Sequence, residues 1–74
     1  MAGPDEVNRL PDGSREEIRY RRSPNPQAVY SRIRKIVGPD GRTREVWHEV
    51  LDGQGNLLHQ HAKFLRDQGY VDAG

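Results

Sequence analysis

Cysteine is absent from the 74-residue chain, and aromatic residues are few: one tryptophan, one phenylalanine and three tyrosines. The absence of cysteine excludes disulfides, thiolate catalysis and cysteine-rich zinc sites. Only histidine or carboxylate ligands remain for a metal ion, and the sequence predicts neither a metal site nor a cofactor. No apolar run approaches the length of a membrane-spanning helix or of a signal-peptide core. We therefore expect a soluble segment with no membrane partner.

Apolar side chains are also scarce, since hydrophobic residues make up 32% of the chain and charged residues 31%. Chains this short bury only about 60% of the surface that their unfolded form exposes, which leaves them marginally stable. Most of the apolar residues lie after residue 28. We expect one small domain with a small core, which another chain or a larger parent protein helps to cover.

The net charge of +1 hides an uneven distribution along the chain. Residues 15–44 contain nine arginines and lysines against three acidic residues, whereas the segments on both sides are net acidic. Eight of the nine are arginine, whose planar guanidinium suits phosphate. Two interpretations follow: a charged sheet edge that resists aggregation, or a face that contacts nucleic-acid phosphate.

Two turn signals divide residues 29–64 into three stretches. They are Gly38-Pro39-Asp40-Gly41 and Asp52-Gly53-Gln54-Gly55-Asn56. Proline presets the backbone of a turn and glycine supplies its positive-φ position. Because Val46 and Val50 alternate with charged residues between the two signals, we predict a three-stranded antiparallel meander.

The residues on either side of the meander are not predicted to add strands to the sheet. Residues 1–13 show no periodicity and are interpreted as a disordered lead-in. Ser14-Arg15-Glu16-Glu17 matches a capping box and predicts a short helix to about residue 22, with an extended arm as the alternative. Residues 62–68, followed by Gly69, fit a last short helix with a glycine stop.

The predicted fold class is therefore α+β. It consists of a small three-stranded antiparallel meander over residues 29–64 with short flanking helices, inside a single domain of residues 14–74. The lead-in of residues 1–13 precedes that domain.

The register of the second hairpin decides which side chains meet. A type I turn with Gly55 in the left-handed position pairs Asp52 with Asn56 and places Glu49 opposite His59. In this favoured register the opposite face, with Val46, His48 and Val50, is the predicted core. A four-residue loop over 53–56 instead places His48 opposite His61, with His59 on the same face, and gathers three imidazoles as in a zinc-type site.

The favoured register predicts acid–base chemistry on RNA. A carboxylate beside an imidazole can act as general base and general acid on a ribose 2'-hydroxyl and a leaving 5'-oxygen. The candidate catalytic residues are Glu49, His59 and His61. The candidate nucleic-acid contacts are Arg32, Arg34, Lys35, Arg44, Trp47 and Lys63, with a lysine beside the phosphate and the tryptophan stacked on a base. A surface Glu-His pair with no catalytic role is the alternative interpretation.

The segment EVWHEVLDGQGNLLHQHAKF, residues 45–64, combines a charged strand, a hydrophobic-Asp-x-x-Gly-x-Leu hairpin and following histidines. This pattern resembles the small C-terminal effector modules of bacterial Rhs-type and contact-dependent polymorphic toxins. The resemblance implies a compact sheet that cleaves nucleic acid, often RNA, and a cognate inhibitor protein. It also implies action in the cytoplasm of a cell into which the module is delivered.

The sequence therefore predicts a module that acts on nucleic acid, RNA rather than DNA. The leading hypothesis is a metal-independent ribonuclease of toxin type. The alternative is a non-catalytic binding module that contacts nucleic acid through its arginine-rich strand or a partner protein through an exposed sheet edge.

Overall fold

The computed structural model describes residues 3–21 and 29–72. These residues form a six-stranded antiparallel sheet in which each strand pairs with the next one along the chain. The strands are β1 Glu6–Arg9, β2 Arg15–Tyr20, β3 Tyr30–Val37, β4 Thr43–Leu51, β5 Leu57–Leu65 and β6 Tyr70–Val71, with a 3₁₀ helix at Arg66–Gln68. In these two described ranges, no helix has the length and apolarity needed to cross a membrane.

The predicted α+β class is wrong, because the described chain is all-β. The predicted first helix is strand β2, and residue 22, where it was to end, lies outside the described residues. The hydroxyl and N–H of Ser14 both donate to the side chain of Asp12, so this serine closes a turn instead of capping a helix. Strand β1 likewise occupies part of the predicted lead-in.

The predicted last helix is also largely strand. Residues 62–65 complete β5, and only the 3₁₀ helix Arg66–Gln68 follows within the described part of the chain. Gly69 does end that short helix in the left-handed conformation, with φ 61°, so the glycine stop is confirmed. The chain then returns as β6 and pairs with the end of β5.

Three hairpin turns share one backbone geometry. In each, a glycine with positive φ donates its N–H to the carbonyl three residues earlier, and a second hydrogen bond closes a five-residue turn. The turns are Leu10–Ser14, Gly38–Arg42 and Asp52–Asn56, with their glycines at 13, 41 and 55. This is a type I turn followed by a glycine bulge. The predicted loops at 38–41 and 52–56 are confirmed.

An aspartate side chain stabilises each of these turns by accepting backbone N–H groups. Asp12 accepts from Ser14, and Asp40 accepts from Arg42. Asp52 accepts from residues 54 and 56. The hydroxyl and then the N–H of Ser14 lower the pKa of Asp12, and backbone N–H groups lower the pKa of Asp40 and Asp52. The turns are therefore fixed by side-chain chemistry as well as by glycine.

Most of the core lies on one face of the sheet, which we call the Glu49 face, whereas the buried residue Val37 lies on the other. The registers place Ile18 opposite Arg34, Arg34 opposite Trp47, and Arg32 opposite Glu49. The buried side chains of this face are Ile18, Ile36, Glu49 and Leu51. The predicted core face, with Val46, His48 and Val50, is the opposite one, and these three residues are only partly buried. The prediction of the core face is therefore wrong.

Candidate functional site

The three histidines share the other face of the sheet, which we call the histidine face. His48 on β4 lies opposite His61 on β5, and Val50 lies opposite His59. Side chains alternate between faces along a strand, so the imidazoles of residues 59 and 61 lie on the same side as that of His48. Among the residues that the paired strands place on this face are Glu17, Arg19, Ser31, Ile33, Lys35, Val46, His48, Val50, His59 and His61.

A bulge in β5 creates this arrangement. The turn before β5 has the predicted geometry, but the register moves by one after Val50, and Leu58 is the extra residue. One extra residue moves the side chains that follow it to the opposite face, here as far as Ala62, because a second bulge at Lys63 reverses the shift for Phe64 and Leu65. Glu49 therefore pairs with Gln60 instead of His59, and the predicted pairing of Glu49 with His59 is wrong.

Positive charge surrounds His48. Burial lowers the pKa of His48, and the charges of Arg21, Lys63 and the other two histidines lower it further. Its Nε2 atom is buried and has no hydrogen-bond partner within residues 3–21 and 29–72. Over the same residues, Arg21, Lys35 and Lys63 form no salt bridge. Glu17 lies opposite Lys35 in the register, but its carboxylate is bound by Arg15 at 2.6 Å. The histidine face therefore carries positive charge that is available to an anionic ligand.

An open groove borders the histidine face. Its volume is about 410 Å³, and it is lined by Arg21, Val29, Tyr30, Ser31 and Val50. The last two lining residues pair with each other, and Val50 in turn pairs with His59, so the groove ends beside the imidazoles. Ligand pockets commonly have volumes of about 300 to 1,000 Å³.

His61 is held by a carboxylate. Its Nε2 atom lies 2.8 Å from Oδ2 of Asp72, the residue that follows β6. The side chain of His61 is 45% exposed and that of Asp72 is 20% exposed. An imidazole that is oriented by a carboxylate and still reached by solvent is a common arrangement for proton transfer.

The imidazoles do not form a metal centre of the kind that the alternative register suggested. No group of three or more histidine, cysteine, aspartate or glutamate side chains in the described ranges is arranged to hold a metal ion.

The pKa of His48 predicts a loss of stability in mild acid. Because the folded state lowers this pKa below the value of about 6.5 in the unfolded chain, the stabilisation is fully present above that pH and is lost as the pH falls. Chemical denaturation from about pH 7 to about pH 5 should show this decline. His48→Leu should flatten it, and an unchanged pH dependence in that variant would contradict the assignment.

Glu49 is the centre of a buried hydrogen-bond network on the opposite face. Its side chain is 2% exposed and accepts from Arg32 at 2.8 Å, from Arg34 at 3.0 Å and from Gln60 at 2.8 Å. Burial alone would raise the pKa of Glu49, but the hydrogen bonds from its partners outweigh burial and lower it. The carboxylate is therefore ionised and fully engaged, which is unlike a general base that must accept a proton from a substrate.

Four of the predicted nucleic-acid contacts are engaged with carboxylates of the protein. Arg32 and Arg34 bind Glu49, and Arg34 also lies 3.4 Å from Glu16. The indole N–H of Trp47 donates to Glu45, and Arg44 reaches Asp12 in the first turn. Their side chains therefore contribute to the fold. By contrast, Lys35 lies on the histidine face and the charge of Lys63 acts on His48.

Sequence reasoning missed Asp72 and Arg21 as members of the site. Arg21 was included only in the overall basic charge, and its place beside His48 depends on the pairing of β2 with β3. Asp72 follows Tyr70-Val71, a pair with strand-forming side chains directly after a glycine turn. That signal could have predicted β6 and its return to β5.

Comparisons with models of protein families, with curated proteins and with solved structures find no match to this chain. The resemblance to toxin modules therefore remains a prediction.

Proposed function

We propose that this chain is a small nucleic-acid-binding module that contacts phosphate through the histidine face. The observation that carries the proposal is the gathering of three imidazoles with Arg21 and Lys63, beside a groove lined by the same arginine. Lysine and arginine side chains supply most of the affinity for a phosphate backbone.

The arginine pair on β3 is not part of this proposal. Arg32 and Arg34 each give their Nε–H to Glu49, and their side chains are only 21% exposed. If these two arginines bound phosphate instead, the buried carboxylate of Glu49 would lose its charged partners, which would lower the stability of the fold. Lys35, on the histidine face, and Lys63, whose charge acts on His48, form no salt bridge in the described residues and carry no such cost.

The salt dependence of binding tests the proposal. Lys35→Ala combined with Lys63→Ala should weaken binding to a fluorescent single-stranded RNA and lower the slope of log affinity against log salt by about two. Fluorescence anisotropy over a series of salt concentrations measures this. The control is Arg42→Ala, which removes an exposed charge in the second turn and should leave the slope unchanged. An unaltered slope in the double variant would reject the histidine face as the phosphate contact.

Cleavage of RNA is the second candidate function. It is favoured by one observation: the exposed residues His59 and His61 lie on the same face, and a carboxylate orients the second of them. Two imidazoles and a cation suffice to move the protons when a ribose 2'-hydroxyl attacks the adjacent phosphate. The 2'-hydroxyl restricts this chemistry to RNA.

Incubation of the purified chain with total RNA, with and without EDTA, separates the two functions. Loss of full-length RNA in both conditions would support cleavage by acid–base chemistry. Intact RNA together with salt-dependent binding would leave the binding module as the function. Intact RNA without binding would reject both.

A further inference from the structure

We infer that Asp72 positions His61 as the proton acceptor of RNA cleavage by fixing the ring nitrogen that carries the hydrogen. This inference rests on the second candidate function above. It assigns Asp72 as a positioning residue and His61 as a catalytic residue. It also replaces Glu49, which the sequence predicted as the carboxylate of the site.

The hydrogen bond determines the tautomer of His61. An ionised carboxylate can only accept hydrogen bonds, so Nε2 of His61 must be the donor to Oδ2 of Asp72. In a neutral imidazole with hydrogen on Nε2, the lone pair is on Nδ1. The proton-accepting atom of His61 is therefore Nδ1, while the carboxylate stabilises the positive charge that forms on the ring.

The short strand β6 holds Asp72 in place. The N–H of Asp72 donates to the carbonyl of Lys63 at 2.8 Å, directly beyond the pairing of Val71 with Phe64. Gly69, in the left-handed conformation, turns the chain back towards β5. The carboxylate is thus positioned by backbone hydrogen bonds on the strand that carries both exposed imidazoles.

His59, the second exposed imidazole, is placed to act as the general acid. His59 and His61 are two residues apart on one side of β5, which separates their Cα atoms by about 7 Å. A phosphodiester group fits between two imidazoles at this separation. The charge of Lys63 acts on the same cluster and can offset negative charge on the phosphate.

The proposed step transfers two protons and exchanges one bond at phosphorus. Nδ1 of His61 removes the proton of a ribose 2'-hydroxyl, and the 2'-oxygen forms a bond to the adjacent phosphorus. The bond from phosphorus to the 5'-oxygen breaks, and protonated His59 gives its proton to that oxygen. The products are a 2',3'-cyclic phosphate and a free 5'-hydroxyl.

Asp72→Asn tests the role of the carboxylate. The amide can donate to Nε2, which favours hydrogen on Nδ1 and removes the accepting lone pair from the substrate side. With a quenched fluorescent single-stranded RNA as substrate, kcat should fall by about 100-fold or more, while KM should change little. Asp72→Glu should restore part of kcat. The control Asp67→Asn, at an exposed acidic residue of the preceding 3₁₀ helix, should behave as the wild type.

A spectroscopic measurement decides the tautomer without reference to activity. Long-range ¹H–¹⁵N spectra of the histidine side chains at about pH 8.5, well above the ordinary histidine pKa, should show hydrogen on Nε2 of His61 in the wild type and a shift towards Nδ1 in Asp72→Asn. Hydrogen on Nδ1 in the wild type, or full kcat in the variant, would overturn the inference. If the wild type leaves RNA intact, the cleavage candidate and the catalytic role of His61 fail, and the spectrum still tests the positioning by Asp72.

Discussion

Replacing Glu49 by alanine is expected to lower the free energy of unfolding by about 3 kcal/mol. Removing one partner from a buried charge network costs about 3 to 5 kcal/mol, because the remaining charges stay buried without compensation. The lower end applies here, since Arg32 and Arg34 keep 21% of their side chains exposed and water screens them in part. A chain of this length has only about 4 to 11 kcal/mol of stability in total.

Urea denaturation followed by the fluorescence of Trp47 measures this effect. The probe lies on the Glu49 face, next to Arg34 in the register. Glu16→Ala is the matched control, because Glu16 is also a carboxylate partner of Arg34 but is 22% exposed and has only longer or exposed contacts, with Arg34 at 3.4 Å and with the amide of Asn8 at 3.0 Å. That variant should lose at most about 1 kcal/mol. Equal losses in the two variants would show that burial of Glu49 does not set the cost.

The Glu49 face also explains why the core was assigned to the wrong side of the sheet. The pattern of β4 contrasts apolar Val46 and Val50 with charged Glu45 and Glu49, and charged residues are normally exposed. A carboxylate between two guanidinium groups can nevertheless be buried, because each charge compensates the other. The sequence shows the residues but not the pairing across strands, and the pairing decides which face is covered.

Turn chemistry was the part of the fold that could be predicted. The second and third turns were found from their glycine, proline and aspartate residues, and the structure has them at the predicted positions. The first turn contains Pro11-Asp12-Gly13, the same tripeptide as Pro39-Asp40-Gly41. It was missed because Ser14 and Glu17 also match a capping box. Applying the same turn rule there would have predicted β1 and β2.

The register of β5 could not be predicted from the hydrophobic pattern. Leu57 and Leu58 are both apolar, and both are more than half exposed, so neither is selected by burial. The bulge lies after the turn and is independent of it, so a correct prediction of the turn type does not reveal the bulge. This one residue moves His59 away from Glu49 and brings the three imidazoles together.

The second large effect is expected at the exposed imidazoles, if the chain cleaves RNA. His59→Ala and His61→Ala should each lower the rate of cleavage by about 10²- to 10⁴-fold, because each removes the acid or the base of one proton-transfer step. The double variant should lose little more than the worse single variant, since the two groups act in the same step. Initial rates on a quenched fluorescent RNA measure this. Urea midpoints should change little, because both side chains are exposed.

His48→Leu and Gln60→Ala are the matched controls, because they separate the rate of cleavage from stability. His48 is the most enclosed imidazole and its Nε2 atom is buried, so an apolar replacement should lower the rate of cleavage far less than the loss of either exposed imidazole does. Gln60 lies between the two exposed histidines in sequence but donates to Glu49 on the other face, so its loss should lower stability and spare the rate. Loss of cleavage in His48→Leu, with normal rates in His59→Ala and His61→Ala, would move the acid–base chemistry away from the exposed imidazoles.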